Sequence, residues 1–214
     1  MRHLPPTATS SQPRVFHYSL DWRFLLPLAE PQKICLLVEE NLDFSQTLEQ
    51  VGIHVSQQLS LSELRDHKNG RFQLMVMPFG LPAGWAGSRH QDRVEFYFSI
   101  GRFIDSGGQL LVGFNNALNF RAKSRDKYQT STPGRLAREL GQAGFMSVKL
   151  YGAMPNLRIP EYIFDFDPLA LDFAARNRFR RKPAVLQALR VLAATIGLQS
   201  ITNFLPCYFA AAAA

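Results

Sequence analysis

Phe103-Ile104-Asp105-Ser106-Gly107-Gly108-Gln109-Leu110-Leu111-Val112 passes across a glycine pair into a continuous apolar run. Upstream of it Val94, Phe96, Tyr97, Ile100, Phe103 and Ile104 recur at helical spacing, so a helix is expected over 91–105. Gly107-Gly108 then turns the chain, and 109–114 reads as a strand with apolar side chains on both faces. Such strands occur in parallel sheets covered by helices above and below. Before the helix, 72–77 is a second apolar strand, followed from Phe79 to His90 by a loop with glycines and a proline.

The same alternation extends in both directions. Lys33-Ile34-Cys35-Leu36-Leu37-Val38 is another short apolar run. Phe44, Leu48 and Val51 then give a helix stopped by Gly52, and 53–55 a return to strand, with His54 as a satisfied core histidine. Residues 61–67 make a short helix closed by Asn69-Gly70. Downstream, Ser131-Thr132-Pro133 supplies a cap and a first-turn proline for a helix that runs to Gly144, and 146–151 is a further strand. Helices over 169–179 and 183–196 and a buried final strand over 201–205 complete the chain. The closing run Ala210–Ala214 is given no functional weight. Strands alternating with helices through short connections predict a three-layer, Rossmann-like α/β fold with a mostly parallel sheet. Ligands of such sheets lie beyond the carboxyl ends of the strands, which here means 39–43, 56–60, 78–90 and 115–121.

At 214 residues, with 46% hydrophobic and 19% charged side chains, the chain suits one globular domain. The expected division is a polar, proline-containing arm over 1–15, the α/β domain over 16–167, and carboxyl-terminal helices and strand over 168–214 packed on it. Cys35 and Cys207 are the only cysteines, and no zinc or disulfide pattern appears. No secretory signal is visible at the start, so the expected location is cytoplasmic, with a position peripheral to a membrane as the variant. The formal charge of +7 suits acidic partners of several kinds without choosing among them. Polar residues at 199, 200, 202 and 203 interrupt the last apolar stretch, so no transmembrane helix is expected.

The stretch 103–112 resembles the leader helix, glycine pair and strand of class I S-adenosylmethionine-dependent methyltransferases. Residues 72–77 resemble the strand before it, and 131–145, closing on Ala143-Gly144-Phe145, the late helix of that family. Asn115-Asn116, Tyr151-Gly152-Ala153-Met154-Pro155 and Ile159-Pro160 are similar to one bacterial subgroup. The resemblance spans about residues 33–167, and its weight lies in order and spacing. It implies a cofactor crevice at the ends of the first strands, with Glu39, Asn41, Ser56 and Phe79 as the residues that would line it.

Two departures stand against that crevice. The family has a glycine-rich turn after the first strand, where bare backbone approaches the cofactor. Here the turn reads Glu39-Glu40-Asn41-Leu42-Asp43-Phe44, without glycine, and its carboxylates suit the cap of the following helix. The family also fits a third strand and two helices between its second strand and the one resembling 72–77, and only the short stretch from Val55 to Phe72 is available. The acid expected at the second strand's end, for the ribose hydroxyls, is replaced by Ser56-Gln57-Gln58.

These changes predict a methyltransferase-like pseudoenzyme that serves as a structural or interaction subunit, with no catalytic residues, no metal and no cofactor. The alternatives are an active S-adenosylmethionine-dependent methyltransferase acting on a small molecule or glycan, and a nucleic-acid-binding accessory protein. Candidate partner-binding residues are Trp85 in the glycine-containing loop and the cluster Arg176, Arg178, Phe179, Arg180, Arg181 and Lys182. The partners expected are proteins of a larger assembly, with an anionic membrane surface and nucleic acid as further options.

Overall fold

The computed structural model describes residues 33–38, 54–67, 70–82, 89–118, 129–154, 157, 162–196, 203 and 205–214. They form one sheet with helices packed on it. In chain order the elements are β1 (Ile34–Leu37), β2 (Gln57–Leu59), α1 (Leu61–Asp66), β3 (Phe72–Met77), α2 (His90–Gly101), β4 (Ile104–Asn116), β5 (Thr130–Ser131), α3 (Pro133–Gln142), β6 (Met146–Met154), β7 (Tyr162–Asp165), α4 (Pro168–Arg178), α5 (Pro183–Ile196) and β8 (Cys207–Ala213). The strand order is β2-β1-β3-β4-β8-β6-β7, with the short β5 attached to the end of β4. Strands β2, β1, β3 and β4 run parallel, and β8 runs antiparallel to both β4 and β6. This is the mixed, mostly parallel α/β sheet that the alternation predicts.

Apolar runs become two-faced strands because side chains alternate across a sheet. Cys35 and Leu37 of β1 join one cluster with Leu61, Leu64, Phe96, Ile100, Leu136 and Leu140, the inward faces of α1, α2 and α3. Ile34, Leu36 and Val38 point the other way, into a cluster with Leu74, Val76, Leu111 and Phe209. The helix ends follow local chemistry. Thr132 Oγ1 accepts from Arg135 N at 3.3 Å, Pro133 opens α3, and Gly144, at φ +95°, takes the left-handed conformation that ends it. Asp167 caps α4 by accepting from Leu169 N at 2.6 Å.

Four expectations are corrected. The helix expected over 91–105 stops at Gly101, and β4 begins at Ile104, because Ile104 pairs with Phe72 across the sheet. From there β3 advances two residues while β4 advances five, so residues around Gly107-Gly108 form a bulge inside the strand and not a turn before it. The second strand lies at Gln57–Leu59 instead of 53–55, and His54 is exposed outside it. The final strand is Cys207–Ala213 instead of 201–205, so the alanine run is a central strand. Ala210 and Ala212 face one cluster and Ala211 the other. Residues 168–214 therefore hold a strand of the main sheet as well as helices.

Cys35 and Cys207 are both fully buried, and burial pushes the Cys35 thiol up to about 12 and the Cys207 thiol higher still. Both thiols will therefore resist an aromatic disulfide reagent at pH 8 in the native protein and react at once in denaturant. Fast reaction of either in the native state would contradict the packing. A thiol pKa raised on folding also costs stability as pH rises above the unfolded value of roughly 8.5, so the melting temperature falls from there toward pH 12.

Candidate functional site

The strand ends that would face a ligand are Val38, Leu59-Ser60, Met77 to Leu81, and Asn115-Asn116. Val38 N donates to Leu59 O at 3.0 Å, which aligns the ends of β1 and β2. The residue that follows β2 is Ser60, and it is already committed. Its hydroxyl accepts from Glu63 N at 3.2 Å, and Glu63 Oε2 accepts from Ser60 N at 2.7 Å. This reciprocal cap starts α1 and turns the Glu63 carboxylate back onto the Ser60 backbone. Those hydrogen bonds, the backbone one first, hold the Glu63 carboxyl below its usual range.

The end of β3 folds back over β4. Pro78, Phe79 and Leu81 are buried, and Gly80 N donates to Met77 O at 3.2 Å. Gly80 sits at φ +72°, and a Cβ there would lie 2.7 Å from Gly113 O. A Cβ on Gly113 would lie 2.1 Å from Pro78 O. Bare backbone thus meets bare backbone between the two strands, and the space is closed by the chain itself.

Asn116, at the end of β4, is fully buried and spends its amide in the same way. Its Nδ2 lies 2.6 Å from Asn203 O, 2.7 Å from Leu205 O and 3.2 Å from Tyr208 Oη, and its Oδ1 accepts from Leu118 N at 3.1 Å. It pins the approach to β8 against the end of β4. The polar role is structural, because a buried amide with every group satisfied has none left for a ligand.

Of the four residues expected to line a cofactor crevice, Glu39 and Asn41 lie outside the described residues. Ser56 and Phe79 are not brought together. Ser56 Oγ accepts from Ile34 N at 3.1 Å, which puts it at the amino end of β1, while Phe79 is buried beyond the carboxyl end of β3. The expectation for Ser56 came from placing β2 too early; the strand-end position belongs to Ser60. Of the partner-binding residues, Trp85 is also outside the described set. Arg176 lies in α4 and Arg178 ends it, Phe179 is half-buried, and Arg180, Arg181 and Lys182 are exposed in the turn before α5. Among the described residues no group of three or more His, Cys, Asp or Glu is placed to hold a metal ion, and no helix is long and apolar enough to cross a membrane.

Two features escape the sequence reading. A groove of about 820 Å³ opens between α1 and α2, with Leu61, Leu64, Phe96 and Ile100 in its wall and Arg71 and Arg102 at its edge. It lies in the helix layer, away from the strand ends. Between α2 and α3, Glu139 is fully buried, and its Oε1 lies 2.7 Å from Arg93 Nη2, 2.9 Å from Arg135 Nε and 3.2 Å from His90 Nδ1. His90, which reads in sequence as a loop residue without a partner, opens α2 and also meets Gln142 Oε1 at 2.7 Å. Only the Arg135–Glu139 spacing is visible in sequence, as an i,i+4 pair.

No family model matches the sequence, and no curated protein sequence matches it. Solved structures do. A S-adenosylmethionine-dependent methyltransferase from Archaeoglobus fulgidus superposes with a TM-score of 0.55 at 9% identity, over 92% of each chain. A possible histamine N-methyltransferase from Thermotoga maritima gives 0.49 at 10% identity, over 94% of this chain and 90% of that one. Phosphoethanolamine N-methyltransferase 2 of Haemonchus contortus, solved with S-adenosyl-L-methionine, gives 0.44 at 12% identity, over 90% of this chain and 50% of that one. The first of these shows the fold: the chain has the Rossmann-like architecture of class I methyltransferases. At such identities the likeness says nothing of activity.

Proposed function

We propose that this chain is a methyltransferase-like pseudoenzyme that serves as a structural or interaction subunit of a larger assembly. The observation that carries this reading is the end of β2. The position where the resemblance implies an acid for the ribose hydroxyls is Ser60, the cap of α1, and Glu63, the first carboxylate after β2 along the chain, is turned back to close the same cap. Between β2 and β3 the described residues hold only the six-residue α1, so the wall that a third strand would give the adenine is missing as well. These residues do not fit the nucleoside half of S-adenosylmethionine.

Thermal melting with S-adenosylmethionine at about 100 times a micromolar-range Kd tests the reading, since a ligand held that tightly would add about 2.7 kcal/mol of stability. For a domain of this size that is a rise of roughly 5–10 °C. The expected result is no shift, and a rise of that size would restore the active methyltransferase. Mild co-purification of the full chain tests the subunit half, which fails if the protein is recovered alone and monomeric.

A further inference from the structure

The α4–α5 hairpin shows two apolar side chains to solvent on one face of α4. Leu169 and Phe173 are 81% and 63% exposed. They stand one turn apart, on the side of α4 opposite the buried Leu171 and Ala174. Arg176 continues the same outward face. In α5, Val191 is 57% exposed and Val185 40%, and Arg190 is the only charged residue in the 14 of that helix. A soluble helix ordinarily turns its polar side outward; here Leu169 and Phe173 of α4 and Val185 and Val191 of α5 stand outward as well.

Asp167 caps the start of α4 beside Leu169, and from there to the turn before α5 the free charge is positive. Asp172, the acid of α4, is consumed within the hairpin: its Oδ2 lies 2.6 Å from Arg176 Nε, and its Oδ1 lies 3.2 Å from Arg190 Nη2. Burial works to raise the Asp172 carboxyl, but hydrogen bonds and charge from Arg190 and Arg176 outweigh it and hold the carboxyl below its usual range. The bridge ties α5 to α4. Beyond it Arg178, Arg180, Arg181 and Lys182 are exposed, and among the described residues no carboxylate pairs with Arg180, Arg181 or Lys182.

We propose that this hairpin docks on an anionic lipid bilayer, with Leu169 and Phe173 entering the headgroup boundary and Arg180, Arg181 and Lys182 held by lipid phosphates. Exposed apolar side chains rimmed by cations are the composition of helices that lie in that boundary. Nucleic acid would use the cations but leaves Leu169 and Phe173 without a role, and an acidic protein groove would not call for cations in the turn alone. The inference stands whether or not the strand ends take a nucleoside.

Sedimentation of the full chain with phosphatidylcholine vesicles, with and without phosphatidylglycerol, tests it. The expected result is binding to the anionic vesicles only, weakened by salt. Each basic residue near such a surface is worth about fivefold, so Arg180→Glu, Arg181→Glu and Lys182→Glu together should lose on the order of 100-fold. Leu169→Ser with Phe173→Ser should also weaken binding, by roughly tenfold or more, because the apolar entry is lost. A matched triple at the other end of the same helix layer, beside the β2 edge of the sheet, Arg65→Glu, Arg71→Glu and Arg102→Glu, should bind like the wild type, which separates the patch from the net charge. The proposal is overturned if anionic vesicles do not bind at low salt, if the two triples behave alike, or if the serine pair binds undiminished. All these side chains are exposed, and circular dichroism will confirm that the variants fold.

Discussion

Glu139→Ala will unfold the protein at a temperature about 10 °C below the wild type, through a loss of roughly 3–5 kcal/mol. The size comes from what the substitution leaves behind. Glu139 is fully buried in α3, and Arg93, only 4% exposed in α2, sits against it at 2.7 Å. Removing the carboxylate strands a buried guanidinium, and an uncompensated buried charge is among the largest single costs a fold can carry. The pairing is not ideal even in the wild type. The close Arg93 contact is charge against charge without an aligned hydrogen bond, and Glu139 Oε2 has no hydrogen-bond partner among the described residues. The cluster therefore fixes where α2 lies on α3 more than it adds net stability. Replacing Arg93 and Glu139 together by Met and Leu should recover most of the loss, as apolar pairs of similar volume commonly do. Denaturant or thermal midpoints of the single and double variants decide this; a single variant within 1 kcal/mol of wild type, about the size of an ordinary surface change, would show that the charges are not buried in solution.

Gly113→Ala will destabilise by about 3 kcal/mol or more, and low soluble yield is the first sign to look for. The cause is space. Gly113 lies inside β4, its added Cβ would stand 2.1 Å from Pro78 O, and the next obstacle is the Phe209 ring at 3.0 Å. Neither can give easily, since Pro78 O belongs to the backbone leaving β3 and Phe209 is a core side chain of β8. Gly141→Ala supplies the opposite sign. Gly141 lies in α3, nothing stands within 4 Å of its added Cβ, and a helical glycine replaced by alanine gains roughly 0.5–1 kcal/mol. If Gly113→Ala melts with the wild type, the turn after β3 does not press on β4.

The sequence by itself determined that β1 and β3 are strands buried on both faces, and where α3, α4 and α5 begin. The reason is that these signals are local. Continuous apolar runs of strand length give β1 and β3, and Thr132-Pro133 with Gly144 brackets α3 through chemistry within a few residues. The resemblance in order and spacing carried the fold, and the shortness of the chain between β2 and β3 was legible before any coordinates. Only the tertiary structure decided the rest, because each remaining feature depends on a partner far along the chain. Ile104 is a strand residue because Phe72 pairs with it, and β7 was missed because its partner is β6 alone. The alanine strand exists because β4 and β6 flank it on both sides. Glu139 meets a histidine 49 residues away, Asn116 closes on Leu205 from 89 residues away, and no local pattern announces either. Ser60 rather than Ser56 stands at the strand end for the same reason: register is set across the sheet, between β1 and β2, and not along the chain.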